Sequence, residues 1–238
     1  MRAANIARNV RSRELKERLE AGADQVAKKA VEDVVKDLRI YFMVDISGSM
    51  EGAIEAAKPL VANFLQAFPA DKVHVAVFNT SGREITIRHH STKGVEAAFR
   101  GISASGGTDY GAGIRALRKY KPGSDEDALF IFVGDEEASE FSTAVRTSGV
   151  LPVAFGFLKT VSPYWEYRNT KAVRDTAAQL GIPCFMIDEG TFKDPYAIAR
   201  TIRTLVASTP VGSLQSKRVS LIDQILRTKI LQKPAFCY

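Results

Sequence analysis

The chain has 238 residues, 45% of them hydrophobic and 25% charged, which suits one sizeable α/β domain with extensions rather than two full domains. Its two cysteines, Cys184 and Cys237, are far apart and lack metal-ligand spacing, so no disulfide framework is expected and a reducing, cytoplasmic setting is. The first ten residues carry Arg2 and Arg8 without the apolar core of a secretory signal. No apolar run approaches the roughly 18 residues of a membrane span, so no membrane contact is expected. The net charge of +6 is unevenly placed. Residues 1–40 hold ten Lys/Arg against seven Asp/Glu, and residues 201–238 hold six against one, while residues 41–200 are slightly acidic. Basic ends of this kind are either solvated surface or a contact for nucleic acid or an acidic protein.

Residues from about 12 to 38 read as helix, because Val26, Ala30, Val34 and Leu38 recur every four residues with Val31 and Val35 beside them. Gly22 interrupts that pattern. This extension either packs on the domain behind it or connects to another domain or subunit. The apolar run that follows Arg39 and ends at Asp45 has the β-branched and aromatic content of a buried strand. After the turn Ser47-Gly48-Ser49, the residues Ile54, Ala57, Leu60, Val61, Phe64 and Leu65 show helical spacing, with Pro59 suggesting a kink. Val73, Val75 and Val77 alternate as in a strand, and residues 83–88 suit a short antiparallel edge strand. A brief helix over 95–99, a Ser/Gly loop over 103–108 and a helix from Asp109 to Tyr120 precede a second buried strand, Ala128 to Val133, which ends at Gly134-Asp135. The pattern continues as helix 137–148, strand 150–158, helix 169–180, strand 183–187 and helix 195–207. This alternation predicts a doubly wound, mostly parallel central sheet with one antiparallel edge strand. The expected division is a helical extension over 1–37, a domain over 38–208 and a basic, helical tail over 209–238.

Ligand sites in such sheets lie beyond the carboxyl ends of strands, where strand order reverses. Asp45 and Asp135 each end a predicted buried strand, and a cation is a good reason for a carboxylate in that position. Ser47, Ser49 and Thr108 add neutral hydroxyl oxygens. Such hard oxygen donors suit Mg2+, with Mn2+ or Ca2+ as substitutes, and disfavour zinc. Two carboxylates balance the formal charge of a dication and the hydroxyls add none, so the ion keeps an appetite for one more carboxylate.

The segment Val44-Asp45-Ile46-Ser47-Gly48-Ser49-Met50 resembles the metal-ion-dependent adhesion site of von Willebrand factor A (vWA) domains. Gly106-Gly107-Thr108-Asp109 looks like the family's second loop, and Phe132-Val133-Gly134-Asp135 like the strand end that supplies its last aspartate. The resemblance covers roughly residues 38–208, with the three segments in the family's order. It implies a Rossmann-like fold and a non-catalytic, metal-dependent protein-interaction module. Ser47, Ser49 and Thr108 would hold the metal directly, and Asp45 and Asp135 would act mainly through water or hydrogen bonds. A protein partner would supply a Glu or Asp side chain, and movement of the Thr108 loop toward the ion would strengthen its demand for that carboxylate. One departure follows Asp135. Many relatives have Thr-Asp-Gly there, whereas Glu136 and Glu137 stand here, and an inward-turned Glu136 would occupy the open position.

A narrower resemblance joins Gly106–Asp109, Asp135–Glu137 and the later strand to the A-domain half of Ro (TROVE) ribonucleoproteins. In that family a separate ring of helical repeats holds the RNA, for which this sequence has no room. A role in a ribonucleoprotein, with RNA contacts, would therefore run through the basic ends. An enzymatic alternative is a magnesium-dependent phosphohydrolase of the haloacid dehalogenase type, with Asp45 as nucleophile. That chemistry needs an acid two residues later, where Ser47 stands. Tyr164, Trp165 and Tyr167 form an aromatic cluster that serves either as a partner-binding surface or as cover for the core's edge. His89-His90 is a poor chelate, since adjacent strand residues face opposite ways. Asp125-Glu126-Asp127 reads as a solvated loop, and Cys184 as a small core residue.

Overall fold

The computed structural model describes residues 37–187 except 67, 90, 124–125, 139 and 161–170, together with Thr204. In chain order the elements are β1 (Leu38–Asp45), α1 (Ala53–Gln66), β2 (Val73–Phe78), β3 (Gly82–Ile85), α2 (Thr92–Ala98), α3 (Tyr110–Leu117), β4 (Asp127–Gly134), α4 (Phe141–Thr147), β5 (Pro152–Lys159), α5 (Ala172–Leu180) and β6 (Cys184–Ile187). The six strands form one sheet in the order β3-β2-β1-β4-β5-β6. Every pairing is parallel except that of β2 with β3. The mostly parallel α/β sheet with an antiparallel edge strand is therefore present as expected.

The period-2 alternation of strand side chains divides the interior into two layers. Leu38, Ile40, Phe42 and Val44 of β1 face one side, where they meet Val73, Val75 and Val77, Leu129, Ile131 and Val133, and the inner faces of α1 and α2. Tyr41 and Met43 face the other side, among Phe78, Phe130, Phe132, Phe155 and Phe157, covered by α3, α4 and α5. The second layer is largely aromatic. Phe132 meets Phe141 edge-on at 5.1 Å between ring centroids, and Tyr110 meets Phe78 likewise at 4.8 Å. Such edge-to-face contacts add about 0.5–1.5 kcal/mol each beyond burial. Helices on both faces explain why the central strands carry unbroken apolar runs.

Several boundaries depart from the sequence reading. Leu38 opens β1 rather than closing the preceding helix. Helix α1 runs through Pro59 without ending there. Helix α4 begins at Phe141, not near 137, because Glu136 (φ 69°) and Glu140 (φ 52°) hold left-handed backbone that no helix includes. Glu126 is not part of a solvated loop. It is largely buried and pairs with Arg39 at 2.8 Å and Lys72 at 2.7 Å. The N-terminal helix, the aromatic segment with Tyr164, Trp165 and Tyr167, helix 195–207 apart from helical Thr204, and the basic tail lie outside the described residues. Among the described residues no helix is long and apolar enough to cross a membrane.

The topology places the site. From β1 the chain steps to β2 and β3 on one side, then to β4 on the other, so strand order reverses between β1 and β4. These strands pair from Leu38 with Asp127 to Val44 with Val133, which brings Asp45 beside Gly134 at the carboxyl edge of the sheet. That edge is where ligands bind in open α/β sheets.

Candidate metal centre

Asp45 closes β1 with no exposed surface. Its Oδ1 accepts the Ser47 backbone N–H at 2.7 Å, a tight local turn that fixes the carboxylate. Its Oδ2 is buried and has no hydrogen-bond partner among the described residues. Burial pushes the Asp45 carboxyl up to about 7; the backbone N–H and side chain of Ser47 oppose the shift, and the nearby charges of Asp135 and Glu137 add to it. A carboxylate oxygen sealed from water without a donor is costly unless a cation meets it.

Ser47 is buried and precedes the short 3-10 turn Gly48–Met50 in extended conformation (φ −62°, ψ 167°). Its hydroxyl does not cap that turn. It lies instead 3.1 Å from the Ser49 hydroxyl, so two neutral oxygens stand side by side. Two backbone bonds dock this loop on the second: Gly48 N–H donates to the Gly106 carbonyl, and Ser105 N–H donates to the Ile46 carbonyl, both at 2.9 Å. Gly106 has φ +76°, a conformation that favours glycine. Thr108, half-buried, follows in the same loop.

Asn79, just after β2, clamps both sides of that loop. Its side-chain amide donates to the Ser105 carbonyl at 2.9 Å, and its own carbonyl accepts the Asp109 N–H at 2.9 Å. The sequence reading missed Asn79. Its position directly after a predicted buried strand at the site edge was the available signal.

The third segment follows β4. Asp135 Oδ1 accepts the Glu137 N–H at 3.0 Å, and the Asp135 charge acts on both Asp45 and Tyr110. Gly134 is required by close approach. A Cβ there would lie 2.5 Å from the Tyr110 hydroxyl and 2.9 Å from Asp45 Cβ. Tyr110 opens α3, is fully buried, and accepts the Glu136 N–H at 3.0 Å, so it ties the Thr108 segment to the Asp135 segment. Burial, then the charges of Asp45 and Asp135, push its phenol well above the ordinary value, so it stays protonated. It too was missed, since an isolated tyrosine at a helix start carries no sequence signal.

Glu136 does not occupy the cluster. It is fully buried and its carboxylate is bound by Arg174 of α5, with Nη2 at 2.6 Å from Oε2 and Nε at 3.0 Å from Oε2. Of the predicted residues, then, Asp45, Ser47 and Ser49 share one loop, the loop holding Thr108 is hydrogen-bonded to it, and Asp135 adjoins through the β1–β4 pairing. Among the described residues no group of three or more His, Cys, Asp or Glu side chains is arranged to hold a metal. Any ion here must therefore rely on two carboxylates and hydroxyls, a donor set that fits Mg2+ and its hard relatives.

Residues 40–137 match the family model for the von Willebrand factor type A domain. No curated protein matches the chain. Among solved structures, the chain is similar to an aerotolerance-related membrane protein from Bacteroides fragilis NCTC 9343, with 18% identity, 70% of this chain and 99% of that one covered, and a TM-score of 0.51. It is similar to BatB, a conserved hypothetical protein from Bacteroides thetaiotaomicron, with 18% identity, 72% and 100% covered, and a TM-score of 0.51. A von Willebrand factor type A structure from Catenulispora acidiphila gives 17% identity, 72% and 42% covered, and a TM-score of 0.48. At these identities the likeness to the two Bacteroides proteins is one of fold. Over residues 40–137, the central part of this chain is similar in sequence to the von Willebrand factor type A domain.

Proposed function

We propose that this domain is a non-catalytic docking module that presents a divalent cation to a carboxylate of a protein partner. The observation that carries the reading is the sealed, donorless Oδ2 of Asp45, set beside the paired Ser47 and Ser49 hydroxyls. Ser47, Ser49 and Thr108 would hold Mg2+, or Mn2+ or Ca2+, with Asp45 and Asp135 acting directly or through water, as in a metal-ion-dependent adhesion site. When bound, the ion supplies a Lewis-acidic position for an external oxygen ligand.

The chain's own contribution is charge restraint. Two carboxylates offset the dication formally, and hydroxyls add no charge, so the ion stays attractive to one more carboxylate. Glu136, the nearest extra carboxylate in sequence, is committed to Arg174. Ser47 argues against phosphoryl transfer, because a hydroxyl is a poor proton donor at neutral pH where that chemistry needs an acid.

The test is capture of partners from source lysate with Mg2+ and again with chelator, using the native protein and Ser47→Ala. Capture lost with chelator and lost in the variant supports the reading. Capture that survives chelator but falls steeply with salt would favour RNA contacts through the basic ends instead. Phosphatase turnover with Mg2+ that disappears in Asp45→Asn would replace docking with catalysis.

A further inference from the structure

Glu136 is a costly residue. It directly follows Asp135, is fully buried, and holds φ 69°, which side chains other than glycine rarely adopt. Its return is concentrated in one partner. Helix α5 begins at Ala172, and its N-cap, Lys171, offers no side-chain cap. The Glu136 carboxylate takes that place: Oε1 accepts the Arg174 backbone N–H at 3.0 Å. The Arg174 guanidinium then grips both oxygens, through Nε at 3.1 Å and 3.0 Å and Nη2 at 2.6 Å. One carboxylate thus satisfies an orphan helix donor and a charge together.

From this geometry we infer that Arg174 is a specificity-determining positioning residue, which sequesters Glu136 so that its carboxylate is not added to the cation site beside Asp135. The inference rests on the docking reading above. Its logic is competition between adjacent residues. Without Arg174, Glu136 has a buried unpaired charge and a strained backbone, and both are relieved if φ returns to the negative region. That rotation redirects its Cβ and frees the carboxylate one residue from Asp135. A third carboxylate on the ion would tighten metal binding while neutralising the charge that attracts a partner. The Glu136 N–H to Tyr110 bond keeps the loop anchored while the side chain is withdrawn.

The experiment uses Mn2+ as probe on the full chain. Calorimetry gives affinity, and water-proton relaxation gives the number of exchangeable waters on the ion. Arg174→Met should bind Mn2+ about tenfold tighter or more and lose about one bound water relative to the native protein, by the exchange of one oxygen ligand for another. Adding Glu136→Gln to Arg174→Met should restore both values, and Glu136→Gln alone should leave both near native. If Arg174→Met does not fold, Arg174→Lys replaces it. A lysine point charge grips one oxygen at a time, so a smaller tightening, again cancelled by Glu136→Gln, is expected. Unchanged Mn2+ affinity and hydration in the Arg174 variant, or weakening that Glu136→Gln does not reverse, would overturn the inference and leave the docking reading standing. No Mn2+ binding by the native protein would sink the docking reading, and this inference with it.

Discussion

Replacing Asp45 with asparagine should stabilise the metal-free protein at neutral pH and remove its response to Mg2+. The folded Asp45 carboxyl titrates at about 7, against 3.8 for the free side chain. A raised folded pKa means that, between those values, the folded state keeps a proton that the unfolded state has released. The Asp45 contribution to stability therefore falls as pH rises through this window and levels off above about 7. At about 1.4 kcal/mol per unit, the window corresponds to a ceiling of about 4 kcal/mol. Relaxation and water entry reduce the realised penalty to about 1–3 kcal/mol. Asparagine keeps the oxygen that accepts the Ser47 N–H and carries no charge, and its amide NH2 replaces the Oδ2 that has no partner among the described residues. At about 2–4 °C per kcal/mol for a chain of this size, Asp45→Asn should melt about 2–12 °C above the native protein at pH 8 in chelator. The difference should shrink toward zero near pH 4. Using the difference between the two proteins cancels the titrating groups that do not interact with Asp45. Thermal denaturation from pH 4 to 8, with chelator and with saturating Mg2+, reads all of this. A variant less stable than the native protein at pH 8 without metal would refute the reasoning, as would a difference that does not grow with pH.

Other perturbations reach the same loops from different sides. Gly134→Ala forces a methyl to within 2.5 Å of the Tyr110 hydroxyl, so about 1–3 kcal/mol of stability and most Mg2+ affinity should be lost in urea melts and calorimetry. Asn79→Ala removes the side-chain bonds to the Ser105 carbonyl and the Ser81 N–H, so about 1 kcal/mol should disappear, with weaker Mg2+ binding while the fold stays intact by circular dichroism. At the opposite sheet edge, burial and then the Arg39 charge lower the pKa of His74, so the unfolded chain takes the proton first and stability falls as pH drops below about 6.5. His74→Phe, which preserves the 3.6 Å stack on Tyr120, should flatten this fall in stability below pH 6.5, measured by denaturant midpoint.

The strands were the most legible part of the chain, because strands buried on both faces must be apolar throughout and Asp45 and Asp135 mark where the apolar runs stop. The antiparallel edge strand was legible for the same reason: Gly82–Ile85 is short and only half apolar. The start of α4 was not legible, because Glu136 and Glu140 hold left-handed backbone that their propensity does not signal, Glu136 within contacts to Tyr110 and Arg174 that are remote in sequence. Within the site, the hydroxyls and carboxylates stood out by spacing. Asn79, Tyr110 and Arg174 did not, because each acts through a partner remote in sequence: Ser105, Glu136 and Glu136 respectively. Arg174 also decided the question that the acidic pair after Asp135 left open, and only its position in the first turn of α5 could do so.

The opposite edge of the sheet treats its carboxylates differently. There, too, polar side chains crowd strand ends. Glu126 is met by Arg39 and Lys72, and although burial works to raise its pKa, those cations and the Gly123 N–H hold it down to about 2. The Arg39 guanidinium also lies 3.1 Å from His74 Nε2, Tyr41 donates to the Tyr120 carbonyl, and Tyr120 donates to Glu84. At that edge the protein supplies its own counter-charges. At the carboxyl edge Arg174 is placed on Glu136 instead, and Asp45 Oδ2 is the buried side-chain oxygen left without a partner among the described residues. A fold that neutralises its carboxylates at one end has the means to do so at the other. That deficit sits at the topological switch point, beside the paired Ser47 and Ser49 hydroxyls, which is the placement the proposed cation site calls for.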